Sequence, residues 1–321
     1  MRRHALGLLA LAAVAFLSGA APADKSRVER TAPWAAGTRF VLDADGGSVT
    51  VRGTSRADVR VIATSSADDL EAEYRIEIQQ GSGEVRLVSR RKKGSASSWF
   101  GFFGGDSWNL KFEVEVPQST PVTIDTAGGG IKASALRADT DLDTSGGPIT
   151  VTDLQGRLKA DTSGGSIRLE GIRGDADVRT SGGQIDARGI DGKLVAITSG
   201  GSIEIEDVTG DLRSETSGGS IRITGAGGRV EADTSGGSVE ATFKPGNARG
   251  GEVDSSAGSV RVNVDPTVNL SIDASSSGGS VRSALPLKGV ATRSAVKGDL
   301  GKGGNVLRVH TSAGSVDLGG I

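Results

Sequence analysis

The chain has 321 residues, including 50 Gly, 8 Pro, no Cys and only 3 Trp, 1 Tyr and 7 Phe; 37 Lys and Arg face 39 Asp and Glu. Gly is about twice its usual share, yet Gly and Pro together are too few for a collagen-like or low-complexity chain. The near-balanced charge excludes the basic face that nucleic-acid binding needs, and the absence of Cys excludes disulfides and weakens any case for a zinc or thiol redox site.

The N-terminus reads as a secretory signal over residues 1–23. Arg2 and Arg3 precede an apolar run over 5–17, and Ser18-Gly19-Ala20 or Ala21-Pro22-Ala23 offers small residues for cleavage. The run is short for a transmembrane span, and no later segment is long and apolar enough to provide one. The mature chain is therefore expected outside the cytoplasm, in the periplasm, the cell envelope or the extracellular space. Residues 24–37 are expected to be a linker.

Residues 38–116 predict a β cap together with the first, less regular turns of a β-strand repeat. The stretches 39–42, 48–51, 58–62, 73–78, 84–88 and 111–116 mostly alternate apolar with polar residues, and turn-rich segments such as Asp45-Gly46-Gly47 separate them. Between the last two lies an aromatic and basic loop at 90–108. Arg90, Arg91, Lys92 and Lys93 lead into a Gly- and Ser-rich stretch carrying Trp99, Phe100, Phe102, Phe103 and Trp108. Basic charge beside exposed rings suits an anionic membrane interface or a protein partner. The opposing expectation is a long hairpin whose rings fold back on the cap while the basic run is merely solvated.

From residue 117 to 321 the repeat dominates. The second Gly of each Ser-Gly-Gly or equivalent recurs at 129, 147, 165, 183, 201, 219 and 237, then at 258, 279 and 314. The period is about 18 residues, and each unit holds two short alternating strands and two Gly-bearing corners. One column at that period reads Ile131, Ile149, Ile167, Ile185, Ile203, Ile221, Val239, Val260, Val281, Val316, all β-branched and apolar as an inward strand position wants. Outward columns are charged and tend to alternate in sign, as in Arg168, Asp186, Glu204, Arg222, Glu240. Stacking each coil on its predecessor would set such residues opposite one another, and a one-residue slip would bury them. The chain thus predicts an all-β fold: a single parallel β-solenoid of about 18-residue coils. Its interior is too thin for rings, and Phe243 is the one aromatic after residue 117.

Four marks stand out: Asp45-Gly46-Gly47-Ser48-Val49-Thr50-Val51, Val114-Glu115-Val116-Pro117, the repeated Thr-Ser-Gly-Gly-Ser-Ile at 162–167 and 216–221, and the closing His310-Thr311-Ser312-Ala313-Gly314-Ser315-Val316. By these marks residues 36–321 resemble the bacterial putative-adhesin family of secreted or envelope β-strand-repeat proteins, a domain of unknown function. The resemblance implies a β-solenoid in an envelope setting and brings no catalytic residues.

Chemistry is sparse. After residue 23 the one histidine is His310, expected to be a surface strand residue, and no nucleophile elbow, P-loop or dinucleotide fingerprint occurs. The Thr126, Thr144, Thr162, Thr180, Thr198, Thr216, Thr234 ladder reads either as a hydroxyl-lined ligand face or as corner capping, with capping favoured. Asp125, Asp143 and Asp161 would stack as like charges, but the column continues with Arg179 and Ile197, so a solvated face is preferred to a calcium site. No metal or cofactor is expected.

The function expected is that of a non-enzymatic exported scaffold for envelope adhesion or structure. Its partner would be an envelope protein, a glycan or an anionic membrane surface met through the 90–108 loop. The alternatives are a self-assembling envelope polymer growing from an open edge at the last strand, next to Ile321, and a carbohydrate-active β-helix enzyme, which would need a cleft with paired acids and sugar-stacking rings.

Overall fold

A computed structural model describes residues 24–81, 83–92 and 110–321. The N-terminal part contains β1(Arg27–Pro33), β2(Arg39–Ala44), β3(Ser48–Thr54), β4(Asp58–Thr64), α1(Leu70–Glu73), β5(Tyr74–Gly81), β6(Glu84–Arg91) and β7(Lys111–Pro117). Every strand expected there is present. The segment taken for a linker at 24–37 instead holds β1, paired antiparallel with β4. Its charged composition conceals a strand because an edge position needs few buried side chains, here Val28 and Ala32.

The repeats supply β8(Val122–Thr126), β9(Ile131–Leu136), β10(Thr140–Thr144), β11(Ile149–Gln155), β12(Leu158–Thr162), β13(Ile167–Arg173), β14(Ala176–Thr180), β15(Ile185–Asp191), β16(Leu194–Thr198), β17(Ile203–Val208), β18(Leu212–Thr216), β19(Ile221–Ala226), β20(Val230–Thr234) and β21(Val239–Phe243). The C-terminal part adds β22(Gly251–Ser255), β23(Val260–Val264), β24(Leu270–Ser276), β25(Val281–Ser283), β26(Lys288–Ala291), β27(Ala295–Leu300), β28(Val306–Thr311) and β29(Val316–Gly320).

These strands build two facing sheets. The first runs β1-β4-β7-β3-β9-β11-β13-β15-β17-β19-β21-β23-β29-β25, the second β26-β27-β24-β28-β22-β20-β18-β16-β14-β12-β10-β8-β2-β6-β5. Each coil gives one strand to each sheet, and successive coils pair in parallel and in register, Ile149 opposite Ile167 and Leu158 opposite Ala176. The alternating apolar positions of both sheets meet in one continuous, mostly aliphatic core, with Ile149, Ile167, Ile185 and Leu194 fully buried. The interior is not too thin for rings: Phe243 is buried opposite the small Ala226, and Phe40 and Phe112 are buried in the N-terminal coils. The β-solenoid expected from the 18-residue period is therefore the fold.

Two corners explain the glycines. A Cβ on Gly183 would lie 1.9 Å from the Gly165 carbonyl oxygen, and one on Gly174 would lie 2.3 Å from that of Gly156. Consecutive coils approach so closely there that no side chain fits. A third bend was not legible as a Gly corner: Ala135, Asp153 and Asp207 take left-handed φ of 55°, 52° and 58° at positions where other coils place Gly171, Gly189 and Gly225. The bend adds one residue between two inward positions, for example between Ala133 and Leu136, which are both buried.

Both ends depart from simple stacking. At the N-terminal end the β2–β3 coil lies between the β6–β7 coil and the β8–β9 coil, and antiparallel strands β4, β1 and β5 close the two sheets. At the C-terminal end the chain passes from β22–β23 to β24–β25 and turns through the hairpin β26–β27. It then returns to insert β28–β29 between those two coils. The apolar column is thus ordered Val260, Val316, Val281 in space rather than in sequence. The open edge expected beside Ile321 does not exist, because β29 pairs with β23 on one side and β25 on the other.

Candidate functional site

The threonine ladder points inward to the corners. Thr144, Thr162, Thr180, Thr198, Thr216 and Thr234 are all buried. Thr180 Oγ1 donates to the Gly165 carbonyl of the neighbouring coil at 2.8 Å and accepts from Gly183 N–H at 3.2 Å. Ser255, Thr311 and Ser276 continue the pattern through the re-ordered C-terminal coils, at 2.8, 2.7 and 2.7 Å from the carbonyls of Gly237, Gly258 and Gly314. The hydroxyls cap backbone and offer no external ligand face.

The outward columns largely satisfy themselves. Arg168 pairs with Asp186 at 3.1 Å and Arg188 with Glu206 at 3.5 Å across adjacent coils, and Arg222 pairs with Glu240. Each such exposed pair contributes about 0.2–1 kcal/mol, so their main effect is on register.

One column does not alternate. Asp43, Asp125, Asp143 and Asp161 stand directly opposite one another on β2, β8, β10 and β12. Asp43 was not foreseen, because it lies on a coil outside the 18-residue period. Arg90 closes one end of the ladder: its Nη2 is 2.6 Å from Asp43 Oδ2 and its Nη1 donates to the Asp43 carbonyl at 3.0 Å. The Asp43 hydrogen bond holds the Arg90 guanidinium above its ordinary pKa despite desolvation, and the charges of Asp43, Asp45 and Asp125 add to this. Lys159 serves the other end, 2.9 Å from Asp161 and 3.8 Å from Asp141. Burial, followed by repulsion from Asp125 and Asp161, pushes the Asp143 carboxyl above the usual aspartate value. A shallow groove beside it is lined by Asp143, Asp161, Arg179 and Ile197. Among the described residues no group of three or more His, Cys, Asp or Glu side chains is arranged to hold a metal ion.

The re-ordered C-terminal coils create a row that sequence order hides. Asp254, His310 and Ser275 face outward on β22, β28 and β24, in register. Ser275 Oγ lies 3.0 Å from His310 Nδ1. Burial, then Glu252 and Asp233, raises the Asp254 pKa, and His310 opposes the rise. No ion pair joins Asp254 to His310 among the described residues, and the row lies on an open sheet face rather than in a cleft. A nucleophile–base relay needs the base oriented by a third group, which this row lacks. His310 is a strand residue as expected, but half-buried rather than fully on the surface.

Of the candidate contact residues, Arg90, Arg91 and Lys92 are described, whereas Lys93, Trp99, Phe100, Phe102, Phe103 and Trp108 lie outside the described residues. Arg91 N–H donates to Asp45 Oδ2 at 3.1 Å. Lys92 Nζ donates to the Glu71 carbonyl at 2.5 Å, and its backbone N–H to the Glu73 carbonyl at 2.8 Å. Arg90 and Lys92 thus tie the cap together. The segment itself joins β6 to β7, the two strands of one coil. β6 ends at Arg91 and β7 begins at Lys111, whereas only the four residues 127–130 separate β8 from β9.

These features define a two-sheet parallel β-solenoid with antiparallel strands closing its ends and its repeating polar columns turned to holding coil on coil. The chain belongs to the Toastrack DUF4097 family, which residues 38–319 match. It is similar in structure to a putative adhesin from Bacteroides fragilis, with 12% identity and a TM-score of 0.39 over 92% of this chain and 98% of that one. It is also similar to a putative adhesin from Parabacteroides distasonis, at 12% identity and TM-score 0.35 over 92% and 98%. A putative cell adhesion protein from Clostridium sporogenes gives 12% identity and TM-score 0.21 over 92% and 100%. No curated protein matches the chain.

Proposed function

We propose that the chain is an exported, non-enzymatic β-solenoid acting as an adhesion or interaction scaffold of the cell envelope, with segment 90–108 as its contact element. The observation that carries this reading is where that segment enters the fold. Along the rod the hydroxyl ladder is used on backbone carbonyls and much of the charge on neighbouring coils. Between β6 and β7 the sequence has residues 92–110 where the coils of the repeat have a short Gly corner, and that stretch holds Trp99, Phe100, Phe102, Phe103 and Trp108. A basic, aromatic insertion on a rigid support suits an anionic surface or a protein partner, because rings supply contact area and Arg and Lys supply attraction. The first 23 residues support export.

The test replaces Trp99, Phe102, Phe103 and Trp108 together with Ser in the full chain. Cell fractionation and co-purification are then measured, with circular dichroism as the control for folding. The reading expects a folded rod that no longer associates with the envelope or its partner. Unchanged association, or a chain retained in the cytoplasm, would overturn it.

A further inference from the structure

We propose that this chain assembles head to tail with a second copy of itself, the β26 edge of one rod adding antiparallel to the β5 edge of the next. The proposal stands apart from the envelope reading and rests on three features of the second sheet.

The sheet has two edges, one at each end of the rod: β26 and β5. All four residues of β26 are exposed, and Val290, at 71%, is the most exposed large hydrophobic of the described residues. An edge strand presents unpaired N–H and C=O groups that another chain can complete.

The strand directions fit. The strands from β6 to β24 run parallel through the whole sheet. β5 is antiparallel to β6, whereas β27 reverses once against β24 and β26 reverses again. A copy translated along the rod therefore meets β5 with β26 in antiparallel sense, the stronger pairing of the two.

The charges are complementary. Between Asp68 and Gly81 stand five carboxylates, Asp68, Asp69, Glu71, Glu73 and Glu77, against Arg75 alone. Between Lys288 and Lys302 stand four cations, Lys288, Arg293, Lys297 and Lys302, against Asp299 alone. Part of each set is already used: Asp69 pairs with Lys25 at 3.4 Å, Glu71 with Arg30 at 2.8 Å and Lys297 with Asp273 at 3.0 Å. Among the described residues no ion pair engages Asp68 or Glu73 at one end, or Lys288, Arg293 or Lys302 at the other. Lysine on an exposed edge discourages indiscriminate strand pairing, and an acidic acceptor edge turns that repulsion into selectivity. At the first sheet the outer strands are β25 and β1, whose Arg282, Arg27 and Arg30 already pair with Asp317, Glu29 and Glu71, so the complementary charge that no ion pair engages lies at the second sheet.

The experiment follows mass by sedimentation velocity and light scattering, and shape by electron microscopy, at about 0.02 M and 0.5 M salt, across a charge-screening range. The full chain is compared with K288E/R293E/K302E, with D68K/E73K, and with the chain carrying all five substitutions. The proposal expects linear chains at low salt that shorten at high salt. Reversal at either end alone should weaken association roughly tenfold or more, and reversal at both should restore it, with thermal unfolding unchanged throughout. A wild-type chain that stays monomeric at every concentration overturns the proposal. So does growth that stops at a dimer, which would mark a closed two-fold contact, or growth indifferent to all the reversals.

Discussion

Thr162 Oγ1 donates to the Gly147 carbonyl of the preceding coil at 2.9 Å and accepts from Gly165 N–H of its own coil at 3.2 Å. One hydroxyl therefore fixes both the shape of a corner and its distance from the next. The same pair of bonds recurs along the rod, so the Thr-Ser-Gly-Gly signature is a joint rather than a binding motif.

Replacing Thr162 with Val should destabilise the chain by about 1–3 kcal/mol, because a buried carbonyl and a corner N–H lose their partner together. Thr162→Ser should cost much less, since Ser255 and Ser276 already fill this role with 2.8 and 2.7 Å bonds. Chemical denaturation of the two variants checks the ranking.

Adjacent glycines should respond very differently to the same substitution. A Cβ on Gly183 would stand 1.9 Å from the Gly165 carbonyl oxygen, whereas on Gly182 the nearest atom is 3.7 Å away. Gly183→Ala should cost about 3 kcal/mol or more, as the stacked coils must part, and Gly182→Ala should fall within about 0.5 kcal/mol of the parent. Thermal melts of the pair decide it.

Asp143 is flanked by Asp125 and Asp161 on neighbouring strands. Its folded pKa lies above the unfolded value of 3.8, so its ionisation destabilises the fold. That penalty is fully present above the raised pKa and disappears as the pH falls below 3.8. Asp143→Asn should therefore stabilise by about 0.5 kcal/mol at neutral pH, with the advantage vanishing under acid. Denaturation of both proteins between pH 3 and pH 7 tests the sign.

The C-terminal coil should behave as interior structure. Val309 is 1% exposed and β28 is paired on both sides. Val309→Asp should cost more than about 3 kcal/mol, the cost of burying an unpaired charge. Ending the chain at Asn305 should expose the edges of four strands and open residues 251–300 to protease. An edge location for the coil would leave both changes mild, and limited proteolysis with mass spectrometry separates the two outcomes.

The 18-residue period alone determined the coil, its inward column from Ile131 onward, the cross-coil ion pairs and the mostly aliphatic core of the repeat. Each of these arises from one residue meeting its equivalent in the next coil. The left-handed bend at Ala135, Asp153 and Asp207 escaped because Asp and Ala there mask a position that Gly fills elsewhere. Likewise Asp43 joins the aspartate ladder from outside the period, and Arg90 proved to close that ladder. The order of coils at the two ends was decided only in three dimensions. Val260, Val316 and Val281 are chemically interchangeable at one lattice position, so the pattern that specifies register is silent on succession. Succession is set by contacts far apart in sequence: the hairpin β26–β27 on β24, and the return of β28 and β29 between strands already placed. That return buries the last strand and leaves β26 as the outer strand of the second sheet.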